Sequence, residues 1–211
     1  MSQTYGKTRW KRFAVVMVPT IAATAAVGVS IAQGALAASF SVSGVQAKVT
    51  AGELDGTGFT QYGTVDFHNA KDPKTGFPVA VSGFTSATIK SLCQSVPVST
   101  PFGTYTLTIH AGDDPANPVT AKQIFLDMTD LQAKTATFTN INIGVAVGGI
   151  TKGPVNPQDA GKTDPTGFAQ EADSATLTGV VQQSWATSAG TFSLNGMHLS
   201  LASGDSPCPS P

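Results

Sequence analysis

Helix is the first thing missing from this chain. After residue 38 no stretch keeps an apolar i, i+3, i+4 pattern with caps at both ends, which argues against a helical bundle and against an α/β fold. Charge is scarce as well. Charged residues make up 12% of the 211, roughly half the average for soluble domains, and no Lys/Arg stripe runs along any segment. That argues against nucleic acid as a partner and against electrostatic docking on anionic headgroups. Histidine occurs three times, as His68, His110 and His198, far apart and in no metal-ligand spacing. Neither a G-x-S-x-G elbow, a glycine-rich phosphate loop nor a dinucleotide fingerprint is present. No catalytic residue, cofactor or metal ligand is therefore assigned.

Charge is also absent from one long run, Phe13 to Ala37, which follows the basic residues Lys7, Arg9, Lys11 and Arg12 and ends on Ala35-Leu36-Ala37. A basic head, an apolar stretch and a small-x-small end are the pattern of a secretory signal cleaved after Ala37 or Ala38. The same 25 uncharged residues would span roughly 37 Å as a helix, enough to remain as a single membrane anchor. Residues 1–38 thus read as a signal peptide or a transmembrane anchor, and 39–211 as an extracytoplasmic domain. The basic residues stay in the cytoplasm, and the rest is exported, extracellular or anchored to the outer face of the cytoplasmic membrane. With the four basic residues of the leader set aside, residues 39–211 hold eight bases against thirteen acids, a net charge of −5.

Cysteine is nearly absent too, with Cys93 in SLCQSV and Cys208 in the closing GDSPCPSP. An exported chain matures where thiols oxidise, so these two are expected to pair. Two cysteines alone do not make a metal site. The tail PCPSP cannot be a helix or a central strand, and a disulfide would fasten it to the mid-chain strand carrying Cys93.

What is abundant is alternation. Apolar and small polar residues alternate over 40–50, 62–67, 79–92, 104–110, 122–138, 141–150, 175–182 and 191–202, which predicts strands. Between them lie turn-rich loops at 69–78, 111–118 and 152–167. The last holds three prolines and three glycines and is the best candidate for a flexible or functional excursion. A short pattern recurs in VSGV (42–45), VSGF (81–84), MTDL (128–131), FTNI (138–141), LTGV (177–180) and LNGM (194–197). The apolar step is two on either side of each copy but three across it. A strand with one face in the core absorbs such a residue in a bulge, and Gly, Asp and Asn tolerate the left-handed backbone a bulge needs. Repeated bulging curls a sheet. The predicted fold is all-β, a curved antiparallel sheet forming a sandwich or a partly open barrel after the signal/anchor helix. The candidate lining is aliphatic: Val42, Val45, Val81, Phe84, Ile89, Leu131, Phe138, Ile141, Ile143, Leu177, Val180, Leu194, Met197, Leu199 and Leu201.

Chemistry has few candidates. Ser206 in GDSP sits in a proline-flanked tail. The alternation in GMHLSL turns His198 to solvent, and Asp113 and Asp114 beside His110 more simply begin a turn. AGDDPANP and NPQDAGKTDP offer oxygen ligands without the 12-residue calcium-loop pattern. Trp185 is expected in a strand as a core or edge residue.

The stretches RWKRFA, GVQAKVTAGELDGTGF (44–59) and LSLASGDSPCP (199–209), with the Thr/Ser-rich strands between them, resemble an exported actinobacterial family of unknown function whose members are sometimes labelled cholesterol esterases. No residue here matches a hydrolase motif that the label would imply. The leading expectation is a non-enzymatic cell-envelope protein that binds an apolar, lipid-like ligand or assembles with itself or with a membrane partner. A secreted lipid-ester hydrolase and a cell-wall or carbohydrate-binding module are the alternatives.

Overall fold

The computed structural model describes residues 44–68 and 76–211. The expected signal or anchor segment, Val42 and most of the 69–78 loop lie outside the described residues. The strands are β1 (Ala47–Phe67), β2 (Gly76–Lys90), β3 (Leu92–Thr100), β4 (Gly103–Ala111), β5 (Val119–Gln132), β6 (Thr135–Thr139), β7 (Asn142–Ala146), β8 (Phe168–Ser193) and β9 (His198–Ser203). They form one nine-stranded antiparallel sheet. No helix among the described residues is long and apolar enough to cross a membrane.

Four strands close on one another. β1 pairs with β2, β2 with β5, β5 with the second half of β8, and the first half of β8 returns to β1. Residues Val181–Ser184 of β8 are paired on both edges. The result is partly ring-like and is not a barrel. Beyond the ring, β3, β4 and β9 extend as an open wing, while β6 and β7 lie along the remaining edge of β8.

The three-residue steps are the corners of this curl, organised differently from the expectation of isolated bulges. On β1 the buried positions run Leu54, Gly56 and then Phe59. The paired positions step equally, Ala87 to Phe84 on β2, Ala175 to Ala172 on β8, and Ala121 to Ile124 on β5. Each strand therefore inserts its extra residue at the same level, and the register does not shift. The residues at that level include Gly58, Gln123 and Asn140, with φ of 62°, 49° and 51°. A second such level joins Gly52 and Gly179 across β1 and β8 and continues to Ser91, where φ is 50°, between β2 and β3. True register shifts occur at Asp127–Met128, at Met128–Asp130 and at Ile143–Val145. Of the recurring pattern, Asn140, Gly179 and Gly196 take the left-handed backbone and Asp130 sits at a shift. Gly83 does neither. It lies in continuous pairing, and a Cβ there would stand 2.7 Å from Thr60 Oγ1 and 2.9 Å from the Pro154 carbonyl, so glycine is present to admit the crossing segment.

Gln123 is exposed and has no structural reason to be glutamine at a left-handed position. That conformation costs a side-chain-bearing residue about 1–2 kcal/mol, against about 0.5–1 kcal/mol of extra backbone entropy for glycine. Gln123→Gly is expected to stabilise the fold by about 0.5 kcal/mol on these figures, seen as a higher urea midpoint at unchanged slope.

Candidate functional site

The inner face of the ring encloses a partly open cavity of about 200 Å³. β1 contributes Leu54 and Phe59, β2 Phe84, β5 Leu126 and Met128, and β8 Leu177 and Val180. Phe138 of β6 closes one side, its ring centroid 5.1 Å from that of Phe59, which in turn is 5.4 Å from Phe84. Gly56 makes this floor feasible, because a Cβ there would fall 2.3 Å from the Phe84 ring. Ala133 and Ala136, both exposed, form the rim. A smaller void of about 30 Å³ adjoins it, sharing Leu54, Leu126, Val180 and Gln182 and reaching Ile89 and Ile124.

No charged side chain lines either space. The polar lining of the larger is Gln61, Ser82 and Gln182. Gln61 is satisfied, donating to Ser82 Oγ at 3.1 Å and accepting from Gln170. Gln182 is 3% exposed and its side-chain amide hydrogen-bonds to none of the described residues.

Of the predicted lining, Phe84, Leu131, Phe138, Leu177 and Val180 reach the main cavity and Ile89 the smaller one. Ile141 and Leu194 only pack against the core, and Val81 belongs to a second core on the opposite face. Val45, Ile143, Met197, Leu199 and Leu201 are exposed, the last three along the wing. Leu54, Phe59, Leu126 and Met128 were not anticipated. The first two lie in AGELDGTGF, whose glycines and acids mask a strand, and the other two flank Asp127.

The outer face carries an acidic cluster. Asp66 of β1, Asp127 of β5 and Asp159 are 4%, 6% and 3% exposed. Asp159 accepts the Tyr62 hydroxyl at 2.7 Å, and that oxygen accepts the Asn156 backbone N–H at 2.9 Å. Burial first, and then the Asp159 carboxylate, push the Tyr62 phenol up. Burial, with Asp66 and Asp159 nearby, pushes Asp127 up to about 8, while burial raises Asp66 against the pull of Lys162 and raises Asp159 against the Tyr62 hydrogen bond and then Lys162. Asp66 Oδ2 and Asp127 Oδ1 find no donor among the other described residues. A proton held by Asp127 and offered to Asp66 serves this pair, as in other carboxylates that cannot both ionise in one site. No group of acids, histidines or cysteines among the described residues has metal-binding geometry.

This cluster explains why 152–167 is not the loose excursion expected. Asn156 and Asp159 are buried, Thr60 Oγ1 donates to the Pro154 carbonyl at 2.6 Å, and Thr163 donates to Thr64 at 2.7 Å. Glu171 accepts the backbone N–H groups of Thr151 and Lys152 at 2.6 and 2.8 Å. Its burial works against ionisation, but those donors and Asn142 hold its carboxyl below the usual range. The segment trades solvent for buried polar partners on the sheet.

The remaining candidates are scattered. Ser206 donates its backbone N–H to Thr106, and its hydroxyl contacts no histidine among the described residues. His110 and His198 face each other across β4 and β9, His198 exposed, and His110 lies 3.6 Å from Cys93 Sγ. Asp114 caps its own turn through Ala116 N–H and Asn117. Trp185, in β8, packs with Phe77 and His68, centroids 4.6 and 5.1 Å away. Cys93 and Cys208 form a disulfide with Cα atoms 5.9 Å apart.

Fold and site together define an all-β protein whose partly ring-closed antiparallel sheet holds an uncharged apolar cavity on one face and a buried acidic cluster on the other. The chain belongs to the family of unknown function DUF6230, whose model matches residues 43–209. No curated protein and no solved structure matches it.

Proposed function

We propose that this is a non-enzymatic, exported envelope protein that holds an apolar, lipid-like ligand, or the apolar end of one, inside the ring. The observation that carries the reading is the cavity of about 200 Å³ lined by Phe59, Phe84, Leu126 and Leu177 without a charged residue. A cavity of 150 Å³ lined by aliphatic and aromatic side chains holds benzene, so this one has room for roughly eight carbon atoms. The disulfide supports export, since such crosslinks persist outside the reducing cytoplasm.

The test is to block the entrance. Ala136 is an exposed rim residue, and Ala136→Trp is expected to leave stability within about 0.5 kcal/mol, as surface changes do, while toluene binding to the full-length protein weakens at least tenfold by titration calorimetry. Unchanged toluene affinity in that variant would sink the reading.

A further inference from the structure

We propose that the cavity selects an uncharged amphiphile, an apolar body bearing one hydroxyl or carbonyl group, and that Gln182 is the residue that recognises that group. The proposal rests on the cavity reading above and names its ligand class. Gln182 sits near the middle of β8, at a stretch of that strand paired on both edges, to Val49 of β1 and to Leu131 of β5. Its backbone is thereby held from two sides, and its side chain lines both the main cavity and the adjoining void. It is 3% exposed and has no side-chain hydrogen bond among the described residues. The other lining amide, Gln61, is already engaged by Ser82 and Gln170.

The Gln182 side chain is almost wholly covered, yet its amide is not among the fully buried polar atoms left unpaired, so it opens onto the cavity and is available to a group that enters there. Gln182 shares its lining with Leu54, Leu126 and Val180 and, in the smaller void, with Gln94 and Thr187, and with no side-chain hydrogen bond of its own among the described residues it is poised for a group that arrives with the ligand. The amide offers both donors and an acceptor, so a hydroxyl or a carbonyl satisfies it. A carboxylate or an ammonium does not suit the site. No lysine, arginine, histidine, aspartate or glutamate lines the space to compensate a buried charge.

The experiment compares three probes of one size, toluene, benzyl alcohol and benzoate at pH 7, on the full-length protein and on Gln182→Met, with Gln182→Leu as a second variant. In the wild type, benzyl alcohol is expected to bind at least tenfold more tightly than benzoate. The affinity ratio of benzyl alcohol to toluene should fall about tenfold in either variant, the scale of one net hydrogen bond, with toluene held as well as or better than before. Toluene binding with an unchanged ratio in both variants, or benzoate binding as tight as the alcohol, overturns the assignment to Gln182 while leaving an apolar cavity. Failure of toluene to bind the wild type removes the cavity reading itself and this proposal with it.

Discussion

Asp127→Asn is expected to lessen a loss of stability that the wild-type protein should show as pH rises from 5 to 8. Asp127 is held protonated up to about pH 8 in the fold, chiefly by burial and then by the neighbouring Asp66 and Asp159 carboxylates, whereas in the unfolded chain it ionises near pH 4. Between those values the native state keeps a proton that the unfolded state gives up. Stability is then fully present below the unfolded value and falls as pH rises towards 8, with a slope of about 1.4 kcal/mol per pH unit for one proton. Asp66 and Asp159 are raised as well and act in the same sense. Asparagine keeps an N–H that can serve Asp66 and has no proton to lose. Urea titrations at pH 5, 6, 7 and 8 should show the wild-type midpoint falling and that of the variant declining less, the two separating by roughly 2–4 kcal/mol at pH 8. Parallel curves would show that the cluster holds no proton in the fold.

The acidic cluster and the cavity adjoin each other through β5. Asp127 and Met128 are neighbours on that strand, one on the acidic face and one lining the cavity, and the register shift at Met128–Asp130 lies beside them.

Much of this fold was legible in the sequence because alternation with Thr, Val, Phe and Ile is a local signal. The predicted strand 104–110 lies within β4, whereas 79–92 runs from β2 into the start of β3 and 122–138 covers β5 and then β6 after a break at Ala133–Lys134. The central part of β1 was not legible, because Gly52, Gly56 and Gly58 and the acids Glu53 and Asp55 depress strand propensity there. Tertiary contacts override that cost: Gly56 gives its space to Phe84, and Gly58 takes the left-handed corner. The recurring apolar–polar–Gly pattern did mark corners at Asn140, Gly179 and Gly196. Its register-preserving form was hidden, because whether neighbouring strands bulge together is decided by pairings far apart in sequence.

The site was legible only in its aliphatic character. Leu177, Val180, Phe84 and Phe138 could be picked out from the strands, whereas Leu199 and Leu201, with the same alternation, ended exposed on the wing. Alternation says which residues share a face, and topology decides whether that face is covered. The acidic cluster left no linear trace, since Asp66, Asp127 and Asp159 are joined by the docking of 152–167 onto the sheet.

The disulfide leads to the second large expected effect. Cys93→Ala/Cys208→Ala should lower the melting temperature by about 10 °C, from a loss of about 3–5 kcal/mol at 2–4 °C per kcal/mol for a domain of this size. The bond closes a loop with a sequence separation of 115, so cutting it returns a large freedom to the unfolded chain. Its native geometry is supported independently. The Cys208 N–H donates to the buried Ser95 hydroxyl at 2.9 Å, and Thr106, whose hydroxyl accepts from Ser206 N–H at 2.9 Å, donates to the Gly204 carbonyl at 2.8 Å. Those bonds keep the tail docked in the native state when the sulfurs are gone. The penalty should therefore fall on global unfolding, leaving hydrogen exchange in β1 and β8 slower than in β9 but faster than in the wild type. A variant that melts within about 2 °C of the wild type would mean that the crosslink constrains little of the unfolded chain, leaving the hydroxyl ladder to hold the tail.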